Sequence, residues 1–197
     1  PMAASVLQAA EELLRCYDVA SLPQESDEKL CLDVAEAEAL ARALSAIQVA
    51  AAAEVAERSR RELGTTGLAQ RHGCTTPVAL LEVITRTSGA EASRRIQLGS
   101  ALRSSRSLTA EPLGPRFPLL AAAVVAGEVG PEAAAVIVRA LDDIRRVASP
   151  DDLDVAEAGL VEHAQRNRVQ YVSDLAIVVR DRLDPDGVLP REQERSE

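Results

Sequence analysis

The sequence predicts an all-α fold, a multi-helix bundle with one long alanine-rich helix and two helix-turn-helix-like hairpins. Three observations carry that prediction. Apolar residues recur near a spacing of 3.6 in every long stretch and nowhere at a spacing of two, so no sheet is expected. Alanine and leucine dominate, while aromatics are limited to Tyr17, Phe117 and Tyr171 with no Trp. Such a composition suits closely packed helices and suits a β-sandwich badly. Several apolar runs also open on residues able to satisfy the free N–H groups of a first helical turn. The scarcity of aromatics argues against stacking of single-stranded bases as a function.

Ser5 to Arg15 reads as a short amphipathic helix, with Val6, Leu7, Ala10, Leu13 and Leu14 on its apolar side. Residues 17–31, which include Pro23, read as a connection, so 1–32 form an N-terminal helix and connection. Asp33 can cap the long helix, with Glu36 three residues on as its reciprocal partner. That helix is expected to run to Leu63 and stop at Gly64, spanning roughly 46 Å at 1.5 Å per residue. Leu40, Leu44, Ile47, Ala51 and Val55 form one stripe along it, and Ala43, Ala50 and Ala53 allow close approach of a neighbour. A helix this long in a small domain pairs along its length, within the chain or with a second copy. The stripe is therefore the candidate oligomer interface.

Thr66 to His72 reads as a turn or two of helix ended by Gly73. A helical hairpin follows between Thr75 and Arg106. Thr76 caps its first helix and Pro77 fits the first helical position, where a missing N–H costs nothing. Val78, Leu80, Leu81 and Ile84 give that helix its apolar side. Ser88 and Glu91 have the spacing of a capping box for the second helix, which carries Arg94, Arg95 and Arg103, with Arg106 at its end.

Ser107 to Pro118 holds Pro112, Pro115, Pro118 and Gly114 and reads as a loop. Residues 118–144 then echo the hairpin. Gly89-Ala90-Glu91-Ala92 returns 41 residues on as Gly130-Pro131-Glu132-Ala133, and Ile96 as Ile137. In the second copy Ala134, Ala135 and Val136 follow the Glu where the first copy has Arg94 and Arg95, so it reads as core. Ser149 and Pro150 open a further helix with Leu153, Ala156, Leu160 and Val161 on its buried side. Asp151, Asp152 and Asp154 stand where a helix N-terminus favours negative charge, which explains them without a metal. Val169 to Leu183 is the last clear helix, apolar at Val172, Leu175, Ala176, Ile177 and Val179, and Asp184-Pro185-Asp186-Gly187 breaks it as a turn. Residues 33–187 are read as one helical domain. Residues 188–197 are read as a charged tail leading to a further domain.

The net charge of −9 is unevenly spread. Residues 1–57 carry a balance of −8, residues 58–116 of +6 and residues 117–197 of −7. A basic middle segment between acidic flanks suits binding to duplex DNA through that segment. A helical hairpin with an arginine-bearing second helix is also the outline of a helix-turn-helix reader. The candidate nucleic-acid contacts are Arg86, Arg94, Arg95, Arg103 and Arg106. The bland alternative is an arginine face that is solvated or paired with acids, since the same hairpin builds any helical bundle.

Cys16, Cys31 and Cys74 are odd in number and lack a C-x-x-C spacing, which suits a reduced, cytoplasmic setting. His72 and His163 stand far apart without a metal-ligand spacing, so no metal site is expected. No apolar run approaches the roughly 20 residues of a membrane span, the nearest being Ile47 to Val55, so no membrane partner is expected. No signal peptide is visible. No nucleophile–base pair or Gly-rich phosphate loop is visible either, so neither catalysis nor a small-molecule ligand is expected.

Four ordered motifs carry a family resemblance. They are Gly73-Cys74-Thr75-Thr76 with Leu80-Leu81, and Gly89-Ala90-Glu91-Ala92-Ser93-Arg94-Arg95. After them come Ala126-Gly127-Glu128-Val129-Gly130-Pro131-Glu132, and Arg180-Asp181-Arg182-Leu183-Asp184-Pro185-Asp186-Gly187. Over roughly residues 40–190 the chain resembles the actinobacterial domain-of-unknown-function family 222, also called the 13E12 repeat family. The resemblance implies a helical region that precedes a C-terminal HNH endonuclease domain. An HNH centre needs histidines and an asparagine on a ββα unit, and His72, His163 and Asn167 on helices do not supply one. The divalent metal is therefore expected only in that further domain.

Two functions follow as expectations. The first is a non-catalytic DNA-engaging accessory domain of an HNH-endonuclease-type protein, binding duplex DNA weakly and without sequence preference through the arginine hairpin. The alternative is an oligomerisation or protein-interaction module, a homo-oligomer pairing through the long helix.

Overall fold

A computed structural model describes residues 19–106 and 112–184. Among them are eight α-helices, two short 3-10 turns and one two-stranded ribbon, so the fold is the all-α bundle expected. The N-terminal Ser5–Arg15 helix, the Asp184–Gly187 turn beyond Asp184 and the charged tail lie outside the described residues. The chain divides into two units, Pro1–Ala39 and Leu40–Glu197.

In the first unit a 3-10 turn, Val19–Gln24, takes the place of an expected connection. The long helix α1 then runs Asp27–Glu57, not from Asp33 to Leu63. Ser26 supplies an earlier cap, its Oγ accepting from Lys29 N at 3.3 Å, and Asp27 and Glu28 give its first turn the negative charge it favours. Asp33 is left inside the helix and accepts from Lys29 Nζ at 2.7 Å.

In the second unit α1 ends six residues early because its exit is held from a distance. The Arg58 carbonyl accepts from Leu68 N at 2.7 Å, and Ser59 Oγ accepts from Ala69 N at 3.1 Å. The chain turns there through a 3-10 segment, Arg61–Thr66, containing Gly64 at φ 50°. A four-residue helix α2, Leu68–Arg71, follows, as expected for residues 66–72.

Helices α3 (Pro77–Thr85) and α4 (Gly89–Leu102) form the first hairpin. Thr76 Oγ1 accepts from Ala79 N at 3.1 Å and Ser88 Oγ from Glu91 N at 3.2 Å. These are the two caps read from the sequence. Leu80 and Leu81 are buried, but Ile84 is 59% exposed, against expectation.

The expectation of no sheet fails in one place. Strands β1 (Ser104–Arg106) and β2 (Pro112–Pro115) pair antiparallel, with an irregular register at Ser104/Ser105. A two-stranded ribbon has only edges, so prolines that would disrupt a central strand are tolerated in β2.

Helices α5 (Pro118–Val125) and α6 (Pro131–Ile144) form the second copy of the repeat. Its helix order matches the first hairpin, yet α5 packs chiefly on α7 (Pro150–Arg166) and α6 packs chiefly on α8 (Val169–Leu183). Ala133, Ala134, Ile137, Ala140, Leu141 and Ile144 are all buried along α6, which makes it the central helix of the core, as the apolar Ala135 and Val136 in place of Arg94 and Arg95 suggested. Phe117, Leu120, Leu160 and Val172 close around it with no exposed surface. Ser149 caps α7, its Oγ accepting from Asp152 N at 3.2 Å. Helix α8 buries Val172 and Ala176, whereas Ile177 is 43% exposed.

Glu157 on α7 is the one buried charged residue among those described. The residue before α5, Phe117, offers no capping side chain. Glu157 Oε1 instead accepts from Leu120 N at 2.8 Å, so a carboxylate 37 residues away satisfies the start of α5. Burial pushes its pKa above the ordinary glutamate value, opposed by the bonds from Leu120 and Leu119 and helped by Asp154.

Candidate interaction surfaces

Two surfaces were anticipated, the arginines of the α3–α4 hairpin and the stripe of α1. The arginines are not gathered onto one face. Arg94 donates to both Glu91 oxygens, at 2.8 and 2.9 Å, and Arg95 donates to Glu91 Oε1 at 2.6 Å. The capping box is therefore only half made. Glu91 turns to its arginines, which hold its pKa below the ordinary value. Arg103 pairs with Glu57 at the end of α1, at 3.0 Å. Arg86 takes the left-handed conformation at the C-terminus of α3, φ 55°, and no ion pair engages it among the described residues. Arg106 ends β1, and its side chain lies outside the described residues. Three of the five candidates are thus held by acids of their own chain, the bland reading of the same pattern.

A surface cleft of about 490 Å³ opens between α4 and α6 beside Arg94. Gln97, Arg116 and Arg139 line it with Asp142 and Asp143. Arg116 is bonded to Asp142 and lies over the Phe117 ring, 5.4 Å from its centroid. The acids here again offset most of the positive charge.

The α1 stripe lies differently. Val49, Ala52 and Ala53 are the buried residues of α1. Leu40, Leu44 and Ile47 are 41%, 47% and 65% exposed, Ala51 is exposed and Val55 is half-buried against the small cluster of Ala52, Leu81 and Ala92. A groove of about 340 Å³ runs beside the stripe, lined by Ile47, Ala51, Val55, Leu81 and Ile84 among others.

Two contacts hold α1 in that orientation. Arg42 Nε donates to the Gly127 carbonyl at 2.8 Å, where α5 gives way to α6. At Gly99 of α4 an added Cβ would lie 2.3 Å from the Val49 carbonyl oxygen and 2.8 Å from Ala53 Cβ. Only a glycine permits that crossing, a constraint the sequence did not signal.

By length and composition α1 is also apolar enough to cross a membrane, its best window having a mean hydropathy of 1.4. The short run Ile47–Val55 had suggested otherwise. Among the described residues no cluster of three or more His, Cys, Asp or Glu could hold a metal.

No solved structure matches the chain. Its relatives include an uncharacterized protein of Mycobacterium tuberculosis, 37% identical over 111 residues, covering 56% of this chain and 24% of the relative. One of Mycobacterium bovis is 35% identical over 115 residues, covering 58% and 25%. The matched region thus spans about a quarter of the length of these relatives. With a family model matching residues 31–197, the chain belongs to the family described as "Domain of unknown function (DUF222)".

Proposed function

We propose that this chain is a non-catalytic interaction module of a longer, HNH-endonuclease-type protein, and that two copies associate through the exposed stripe of α1. The observation that carries it is the row Leu40, Leu44 and Ile47, large apolar side chains left open on one helix. Contiguous exposed apolar surface marks an interaction site more often than chance exposure does. The HNH association rests on the family resemblance and fits relatives about four times longer than the matched region. A cytoplasmic setting without a membrane partner fits Arg42, a charge at the midpoint of α1 bonded to Gly127, because a charge at a bilayer centre is costly.

The test is light scattering at tens of micromolar, comparing the parent with Leu44→Glu and Ile47→Glu. The parent should exceed the 20.9 kDa of one chain, and each variant should fall to it with an unchanged far-ultraviolet spectrum. A monomeric parent would remove the reading.

Duplex DNA binding is the second reading. It is favoured by Arg86 and Arg139, neither engaged in an ion pair among the described residues, and by Gln97 and Ser100 exposed on α4. It is disfavoured by Glu91 and Glu57, which occupy Arg94, Arg95 and Arg103.

A further inference from the structure

We infer that the two copies pair antiparallel, with the Leu40 of one helix against the Ala51 of the other and Leu44 against Ile47. This rests on the self-association reading above and goes beyond it by fixing the orientation.

Size complementarity is the first argument. The stripe has large residues at Leu40, Leu44 and Ile47 and a small one at Ala51. Placed in parallel, Ala51 would meet Ala51 and leave a gap that no large side chain fills. Turned end for end about a twofold axis between Leu44 and Ile47, each Leu40 reaches an Ala51, where the groove flanked by Leu81 and Ile84 offers room. Isologous pairing of this kind closes on itself and gives a dimer.

Charge order is the second. On the stripe's own side of α1, Glu36 precedes it and Arg58 follows it, while Asp33 on that side is already paired with Lys29. Parallel copies would set acid beside acid and base beside base, and would align their helix dipoles. Reversal sets unlike charges together and opposes the dipoles. Glu54 and Glu57 temper the basic end by pairing with Arg58 and Arg60, so charge favours the orientation while the apolar row supplies the attraction.

The experiment is a dimer dissociation constant for the parent, Ala51→Leu and the exchange variant Leu40→Ala/Ala51→Leu. Antiparallel pairing predicts that Ala51→Leu weakens the dimer about tenfold or more by overpacking, and that the exchange variant recovers most of the loss. A spin label at Arg58→Cys, with Cys16, Cys31 and Cys74 changed to Ser, reads the orientation directly. Antiparallel copies put the two labelled positions about 38 Å apart, from 25 residues of axial offset at 1.5 Å each, against about 10 Å in parallel. A dimer that Ala51→Leu tightens, or whose labels lie near the shorter distance, overturns the orientation and leaves self-association standing. A parent that stays monomeric overturns both.

Discussion

Gly99→Ala should destabilise the bundle, whereas the same change at Gly159 should stabilise it. Both glycines lie inside helices, α4 and α7, where alanine is favoured over glycine by about 1 kcal/mol. At Gly159 nothing lies within 4 Å of the added methyl, so that gain stands alone. At Gly99 the methyl would lie 2.3 Å from a backbone carbonyl oxygen. No rotamer change relieves a backbone clash, so α1 and α4 must separate. Overpacking of this kind costs about 3 kcal/mol at the upper end of its usual range. After the propensity gain, a net loss of about 2 kcal/mol remains. For a chain of this size that lowers Tm by about 4–8 °C, while Gly159→Ala raises it by about 2–4 °C. Thermal melts followed by circular dichroism on the parent and both variants read the two signs directly. If Gly99→Ala melts at or above the parent, the close crossing of α1 and α4 is wrong.

Glu157 predicts a pH dependence. Its folded-state pKa is raised, so its contribution favours the folded state below the ordinary glutamate value and is lost as pH rises through the folded one. The denaturation midpoint of the parent relative to Glu157→Gln should therefore improve as pH falls from neutral through that window; a constant difference would contradict it. Arg86→Gly removes a non-glycine residue from the left-handed region and should stabilise by up to about 1 kcal/mol in urea unfolding; a loss of stability would show that the Arg86 side chain contributes to packing. If the DNA reading holds, fluorescent duplex should bind in the micromolar range with a log–log salt slope near −3, reduced in Arg86→Ala/Arg139→Ala. An unchanged slope in that double variant, or no binding by the parent, would remove the DNA reading.

What could be read in the sequence was local. Thr76, Ser88 and Ser149 cap helices by bonds three residues long, so spacing alone identifies them, and α8 spans the residues its periodicity marks. The misreadings arise where two local uses of a residue compete or where its partner lies farther along the chain. Asp33 and Ser26 both have capping chemistry, and the end of α1 depends on Leu68 reaching Arg58. The ribbon β1–β2 is too short for a period-two pattern, and its prolines signalled a loop. Glu91 had two possible uses, and the arginines took it. Glu157 and Gly99 carried no signal, since the groups that explain them lie 37 residues away at Leu120 and on another helix.

The two fastenings of α1 lie seven to eleven residues apart, Arg42 on Gly127 and Val49 with Ala53 on Gly99, or about 10–16 Å along the axis. A rod pinned once can roll; a rod pinned twice, with one pin a hydrogen bond and the other a backbone crossing, cannot. The azimuth of α1 is therefore set by the bundle and not by whatever meets its outer side. Leu44 and Ile47 are presented like type on a fixed drum, so the association proposed above would require no reorganisation of α1. Loosening either pin should let the helix roll and blur that outward row while leaving its composition untouched.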